Sequence, residues 1–407
     1  MLRELSRSGA VAGVFRAVAV LAVILGAAGC RDEPRGPAAV ATPAATPVEV
    51  DPAAWQVHPG GDIQAALEQA AADPVRKKVQ VRAGTYRPQV PGQAFVWFNE
   101  RHDGITLEAV GRVVMTAANP EVADETADSY PAIVNHVVYF GDRISQTTTL
   151  RGFEITGANN FVTRDDQPGP IQPDTGIPKL EKNLFFYADG GGIKIFGRSY
   201  PTIENVIVHD NYSSPCGAGV SIEHRDFKQR PVIFRNCVFR NNRAQVTGSG
   251  VDILRGSSAE FHNCLFVDNL ANMGEDFIGL GSGRGYNEEH GSGALTVFAH
   301  SRAVVDRCTF TGNWNGVDDR GPGNVYLRSI FWKNDRGGGI SPGARYELDI
   351  LNASRVENCF INGETNDLRG TLDAERNVLD APDPRFDDSY RPRSPVYADV
   401  GYRPPGS

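Results

Sequence analysis

The sequence lacks an excess of positive charge. Its 41 Lys and Arg stand against 49 Asp and Glu, a formal net charge of −8. A nucleic-acid binder needs a basic stripe, so nucleic acid is excluded as a partner. It also lacks an apolar run long enough to cross a bilayer, which takes ~20 residues; the run Ala17–Gly29 falls short. There is no C-x-x-C or H-x-x-x-H spacing for zinc and no acidic loop of the EF-hand type, so no metal ligands are assigned. Cysteine is scarce, six in 407 residues. With Cys30 set aside an odd number is left, which argues against a disulfide framework. What is present is glycine, 44 residues, and a hydrophobic fraction of 41%. That is enough apolar material for a core and argues against disorder throughout. The length would suggest two or three domains, unless the chain is a solenoid in which each coil needs only its neighbours.

The N-terminal segment reads as a targeting signal, to be kept out of the fold. Arg3, Arg7 and Arg16 precede the apolar run, which ends in Ala27-Ala28-Gly29-Cys30. Small residues before a Cys resemble the lipobox of bacterial lipoproteins, although Ala27 stands where that pattern usually has Leu. The resemblance implies a signal peptide over 1–29 and lipidation of Cys30, hence export and membrane anchoring at the outer membrane or cell surface. Arg31, where an Asp would favour inner-membrane retention, points the same way. The alternative is an ordinary signal peptide cut near Gly29, leaving a soluble protein. Residues 30–55 are Pro- and Ala-rich without a hydrophobic period and read as a tether.

A helix is expected next. Asp62 can cap it, and Ile63, Ala66, Leu67 and Ala70 share one face before Pro74 stops it. The alternating strand Val79–Tyr86 follows. A repeat then dominates. Its opener is Gly-x-Gly plus an apolar residue, at Gly190, Gly217, Gly248, Gly291 and Gly337, with GPGN at Gly321 as a weaker copy. Its closer is a short strand ending in Asn, at Asn211, Asn242, Asn269, Asn313 and Asn334. Residues two apart in a strand share a face, so Cys237 with Phe239, Cys264 with Phe266 and Cys308 with Phe310 would stack in columns inside a narrow cylinder. The Asn is expected at a turn in the left-handed conformation, bonding the next Asn along. Cys237, Cys264, Cys308 and Cys359 read as a column of buried thiols, with a Cys237–Cys264 bridge left open.

These motifs resemble the GGA[ILV] and FxxN repeats of chlamydial polymorphic outer membrane proteins and, more broadly, right-handed β-helix repeat proteins of the pectin-lyase-like superfamily. FxxN is matched at Phe239–Asn242, Phe266–Asn269, Phe310–Asn313 and Phe331–Asn334. The resemblance covers Gly190–Asn334 best and implies an all-β fold, a single-stranded right-handed parallel β-helix with a short N-terminal capping helix. The helix-repeat body is expected over 56–380 and a C-terminal cap and tail over 381–407. The autotransporter barrel of those adhesins is missing, so their secretion route does not carry over.

The fold does not choose a function. The Asn-Thr-Asp triplet of polygalacturonases, the pectate-lyase signatures and the DPHD motif of alginate epimerases are absent, and Asp318-Asp319 and His290-Gly291 stand without their partners. The expected function is therefore a non-catalytic rod, a monomer that binds a polysaccharide or a surface protein without a cofactor. One constellation supports an enzyme instead. If Ile193, Ile195, Val220, Ile222, Val251 and Ile253 point inward, then Lys194, Arg198, Glu223, Arg225, Asp252 and Arg255 point outward, with His224 near that face. Such a ladder suits a lyase of uronic-acid polymers, with Arg or His as base and carboxylates as substrate or calcium ligands. The enzyme candidates are Lys194, Glu223, His224, Arg225 and Asp252; the plain alternative is a solvated, decorated outer face. The loop at Phe185, Phe186 and Tyr187 is a candidate sugar platform, residues 160–183 a candidate lid, and Gly279–Gly285 a surface loop.

Overall fold

A computed structural model describes residues 48–160, 189–213, 216–271, 293–335, 346–350, 354–362, 368–370, 372–373 and 375–406. The sequence expectations at residues 1–47, 161–188 and 272–292, and the opener at Gly337, lie outside these residues.

The described chain is a parallel β-helix. Among the described strands every pairing between coils is parallel, and successive coils pair in register apart from shifts at Arg82/Gly84 and Glu108/Val113 near the N-terminal end. From Ile193 on, each coil contributes one short strand to each of three faces. Sheet one has nine strands, among them Gly92–Phe98, Val134–Phe140, Ile193–Phe196, Val220–Glu223, Val251–Ile253, Leu295–Val297, Val317–Asp319 and Leu348–Ile350. Sheet two stacks Thr202–Glu204, Val232–Arg235, Ser258–His262, Arg302–Asp306, Val325–Leu327 and Arg355–Glu357. Sheet three stacks Ile207–His209, Val238–Arg240, Leu265–Val267, Thr309–Thr311, Ile330–Trp332 and Phe360–Ile361. At the N-terminal end the long strand Thr149–Thr156 pairs with both Thr202–Glu204 and Ile207–His209, so sheets two and three merge there.

The core follows from the alternation. One side chain in two points inward, and the inward positions are apolar and buried: Ile193, Ile195, Val220, Ile222, Val251 and Ile253 from sheet one, facing Phe234, Phe261, Phe239, Phe266 and the thiols of Cys237, Cys264, Cys308 and Cys359. Stacking makes columns. The rings of Phe239, Phe266, Phe310 and Phe331 lie face to face with centroids 4.7, 4.3 and 5.1 Å apart. The cysteines are free. Their thiols donate to backbone carbonyls, Cys237 to Ile203 at 3.4 Å and Cys308 to Phe261 at 3.6 Å.

A polar column runs beside the aromatic one. Asn211, Asn242, Asn269, Asn313 and Asn334 are buried, and each Nδ2 donates to the Oδ1 of the next Asn, at 3.1, 3.0, 3.0 and 2.6 Å. Each backbone N–H donates to the same oxygen. The ladder ends on Glu347, which accepts both bonds from Asn334. Left-handed geometry falls one residue earlier than the sequence suggested, at Asp210, Asn241, Asp268, Gly312 and Lys333, with φ of 51°, 49°, 57°, 65° and 52°. The ladder Asn must aim its amide along the stack, so the sharp corner is made by the residue before it.

Successive ladder residues are 31, 27, 44 and 21 residues apart. Length is therefore absorbed between strands, not within them. The short coil also corrects the expectation that Gly321 opens a repeat. Gly316 stands directly before the sheet-one strand Val317–Asp319, and Gly321 sits after it at the corner to sheet two, where its N–H donates to Asp319.

Both ends are dressed. The helix Ile63–Ala72, α1, is capped by Asp62, which accepts from the Ala65 N–H at 3.0 Å. It buries Ile63, Ala66, Leu67 and Ala70, the face expected from their spacing. Gln64 bonds both backbone groups of Trp97, the N–H at 2.9 Å and the carbonyl at 3.2 Å. That satisfies polar groups of an outermost strand that would otherwise invite another chain. At the other end Val378 pairs with Phe360, and the tail then turns back along the outside of sheet three. Tyr397 and Val400 pack on Ile330, and Tyr402 packs on Val238, Leu265 and Val267. Arg403 N donates to Asn263 Oδ1 at 2.7 Å, 140 residues away in sequence.

Candidate functional site

The Gly-x-Gly corner brings two columns together on the outer face of sheet one. The residues before the first glycine are Asp189, Cys216 and Thr247; the strand residues that follow are Lys194, Ser221 and Asp252, paired in register. Gly190, Gly217 and Gly248 turn the corner with φ of 84°, 57° and 51°. The third residue of the motif is glycine for another reason. A Cβ on Gly192 would lie 2.5 Å from the carbonyl oxygen of Gly219, and one on Gly219 would land on that of Gly250. The backbones of neighbouring coils meet there without room for a side chain.

The tight corner folds the first column over the second. Lys194 Nζ donates to Asp189 Oδ2 at 3.1 Å, Ser221 Oγ at 3.3 Å and Glu223 Oε2 at 2.7 Å. Glu223 Oε1 pairs with Arg225 at 2.7 Å. One coil on, the Thr247 hydroxyl donates to Asp252 Oδ2 at 2.7 Å. The row continues in register through Thr296, Asp318 and Asp349. Asp318 accepts from Arg320 Nε at 2.8 Å and from the Tyr346 hydroxyl at 2.9 Å.

The outer face is not the solvated surface that simple alternation suggests. Lys194, Ser221, Asp252, Thr296, Asp318 and Asp349 are each 0% exposed. Desolvation is the largest single influence on Lys194 and Asp252. Burial works against the Lys194 ammonium, but Asp189 and Glu223 outweigh it and hold its pKa above the usual value. Burial pushes Asp189 up to about 6, with Lys194 pulling against it. Asp252 goes higher, to about 7. Burial is the main cause, the Thr247 bond opposes it, and Asp189 and Asp318 add to it. The Cys216 thiol also lies beside the Asp252 carboxyl and lowers its pKa slightly, but Oδ1 has no well-aligned hydrogen-bond partner among the described residues.

Of the residues named from sequence, Lys194, Glu223, Arg225 and Asp252 come together in this row. His224 does not join them. Its Nδ1 accepts from Ser258 N at 3.2 Å, so Nε2 carries the proton given to the Ser199 carbonyl at 2.9 Å. Burial lowers its pKa to about 4, and the ring stacks edge-on to Tyr200. It is a neutral corner pin with both nitrogens engaged. Arg198 turns to Asp142, and Arg255 is exposed. Sequence reasoning missed Asp189, Ser221 and Thr247, and passed over Asp318 as a fragment. Their signal is positional: the residue before each opener and the one four after its first glycine. Among the described residues, no three His, Cys, Asp or Glu groups are arranged to hold a metal.

Residues 141–317 match the family model for a right handed beta helix region. The match covers the ladder residues Asn211, Asn242, Asn269 and Asn313 and the row through Thr296, and ends one residue before Asp318. No curated protein matches the chain. A solved structure from Parabacteroides merdae ATCC 43184, provisionally described as a glycosyl hydrolase, shares 12% identity over 69% of this chain and 91% of its own, with a TM-score of 0.30. A likeness that low says nothing about activity.

Proposed function

We propose that the protein is an exported, lipid-anchored monomer that binds glycans on the outer face of sheet one and hydrolyses them there. The observation that carries this is Asp252, a carboxyl without water contact, held near neutrality, with one oxygen unpartnered. A carboxylic acid that keeps its proton near pH 7 is what a glycosidic leaving group needs. Asp318 lies two strand steps along the row, roughly 10 Å by the ~4.8 Å strand spacing. It is held by Arg320 and Tyr346 as an acceptor suited to orient water. That backbone spacing is nearer the carboxyl separation of inverting enzymes, about 6.5–9.5 Å, than the roughly 5 Å of retaining ones. Lyase chemistry through this row is less well supported, because Lys194 is locked between two carboxylates and His224 has no lone pair to offer. The row is closed to water, so a glycan reaches it through local opening of that face.

The test is reducing-end release from a panel of polysaccharides by the full chain in detergent. Release abolished by Asp252→Asn, with the melting midpoint unchanged, supports the proposal. Glycan retention without release by the wild type makes the chain the passive rod that its sequence first suggested. Neither retention nor release makes the row structural. Membrane anchoring is tested separately: Cys30→Ser should move the protein from the membrane fraction to the soluble one.

A further inference from the structure

The charge pattern of the row bears on which glycans it accepts, and this step rests on the proposed glycan site. Every cation the described residues place in the row is already matched to a carboxylate of the chain. Lys194 is held by Asp189 and Glu223, Arg225 by Glu223, and Arg320 by Asp318. Among the described residues no cation is paired with Asp252. Its Oδ1 is buried and unpartnered beside Gly248, and its neighbours Asp189 and Asp318 already resist its ionisation.

We infer that the ligand is a glycan without carboxylate or sulfate groups, and that polyuronates are rejected. Recognition of a uronate at a dry site requires a cation or donor cluster to replace its hydration. Here an incoming carboxylate would have to break an existing buried pair, or stand without a cation in a row that already holds Asp189, Asp252 and Asp318. A hydroxyl does neither. Once that face opens, it can pair with Asp252 Oδ1 as donor or acceptor according to the carboxyl's protonation, and a sugar ring oxygen can accept from Thr296, whose Oγ1 is also unpartnered among the described residues. Specificity of this kind comes from what the site repels as much as from what it binds.

The experiment pairs each polyuronate with its own carboxyl-reduced form, so that linkage and stereochemistry stay constant. Pectate, alginate and a glucuronan, each with its reduced counterpart, would be run against the full chain in detergent by affinity electrophoresis. The expected result is retention by at least one reduced polymer, about tenfold stronger than by its uronate parent. Asp252→Asn should narrow that ratio by relaxing the repulsion. Equal or stronger retention by the uronate parent overturns this inference and leaves the glycan site standing. Retention by neither member of any pair, nor by neutral mannans, xylans or glucans, overturns both.

Discussion

Replacing Asn269 by Ala should reveal how much of the stack depends on its polar column. Asn269 is fully buried and makes four side-chain bonds. Its Oδ1 accepts from Asn242 N at 3.1 Å and Asn242 Nδ2 at 3.0 Å, and its Nδ2 donates to the Phe239 carbonyl at 2.9 Å and Asn313 Oδ1 at 3.0 Å. Some partners keep a second bond: Asn242 Nδ2 still reaches the Val208 carbonyl, and Asn313 Oδ1 still receives the backbone N–H of residue 269. The Asn242 N–H has no such substitute among the described bonds. An orphaned buried donor costs ~1–3 kcal/mol and an ordinary lost hydrogen bond ~1 kcal/mol. One orphaned donor and three ordinary bonds sum to about 4–6 kcal/mol. Urea denaturation should show a lower midpoint at constant slope, and hydrogen exchange should show the Asn242 amide losing protection. A loss below ~1 kcal/mol, or an Asn242 amide as slow as in the wild type, would refute the ladder as a stabilising element.

Three further outcomes follow from the same geometry. Asp252 has its pKa raised in the folded state, so its contribution to stability is fully present below the unfolded carboxylate pKa and is lost as pH rises through about 7. A pH series of melting midpoints should fall over that window, and Asp252→Asn should flatten it. Lys194→Met leaves Asp189 buried without a cation and Glu223 with Arg225 alone, and should cost about 3–5 kcal/mol by chemical denaturation; a neutral result would mean the triad is not closed to water. Gly219→Ala drives a methyl into the neighbouring coil and should cost about 3 kcal/mol, whereas Gly323→Ala, with open space around it, should cost only about 1 kcal/mol for its positive φ. Equal effects on the two melting curves would contradict close coil-to-coil approach as the reason for the third glycine.

The coil phase was legible because it is written in spacing: a two-residue alternation sorts Ile193 from Lys194 whatever surrounds them. The Asn column was legible for the same reason. Its backbone geometry was not, because Asn242 needs its amide along the stack and passes the strained φ to Asn241. The opener at Gly321 misled because glycine serves at more than one corner of a coil. The row itself was half-legible. Lys194, Glu223 and Asp252 lie on strands and follow from periodicity, but Asp189 and Thr247 reach them only across a corner. That the face is closed could not be read at all, since alternation tells which way a side chain points and not what lies over it.

The tail on sheet three changes how the molecule would respond to force. In a stack bonded only between neighbours, tension at one end unwinds the last coil first and then each in turn. Here Arg403 is fastened to Asn263, Tyr402 to Thr309 and Gly401 to Arg328. Load applied beyond Pro404 therefore enters the stack several coils from its end, and it pulls along the strap in shear. Peeling cannot start at the terminal coil until that strap has let go. With the N-terminal end of the stack held, the coils should thus yield in one high-force step rather than as a sequence of small ones.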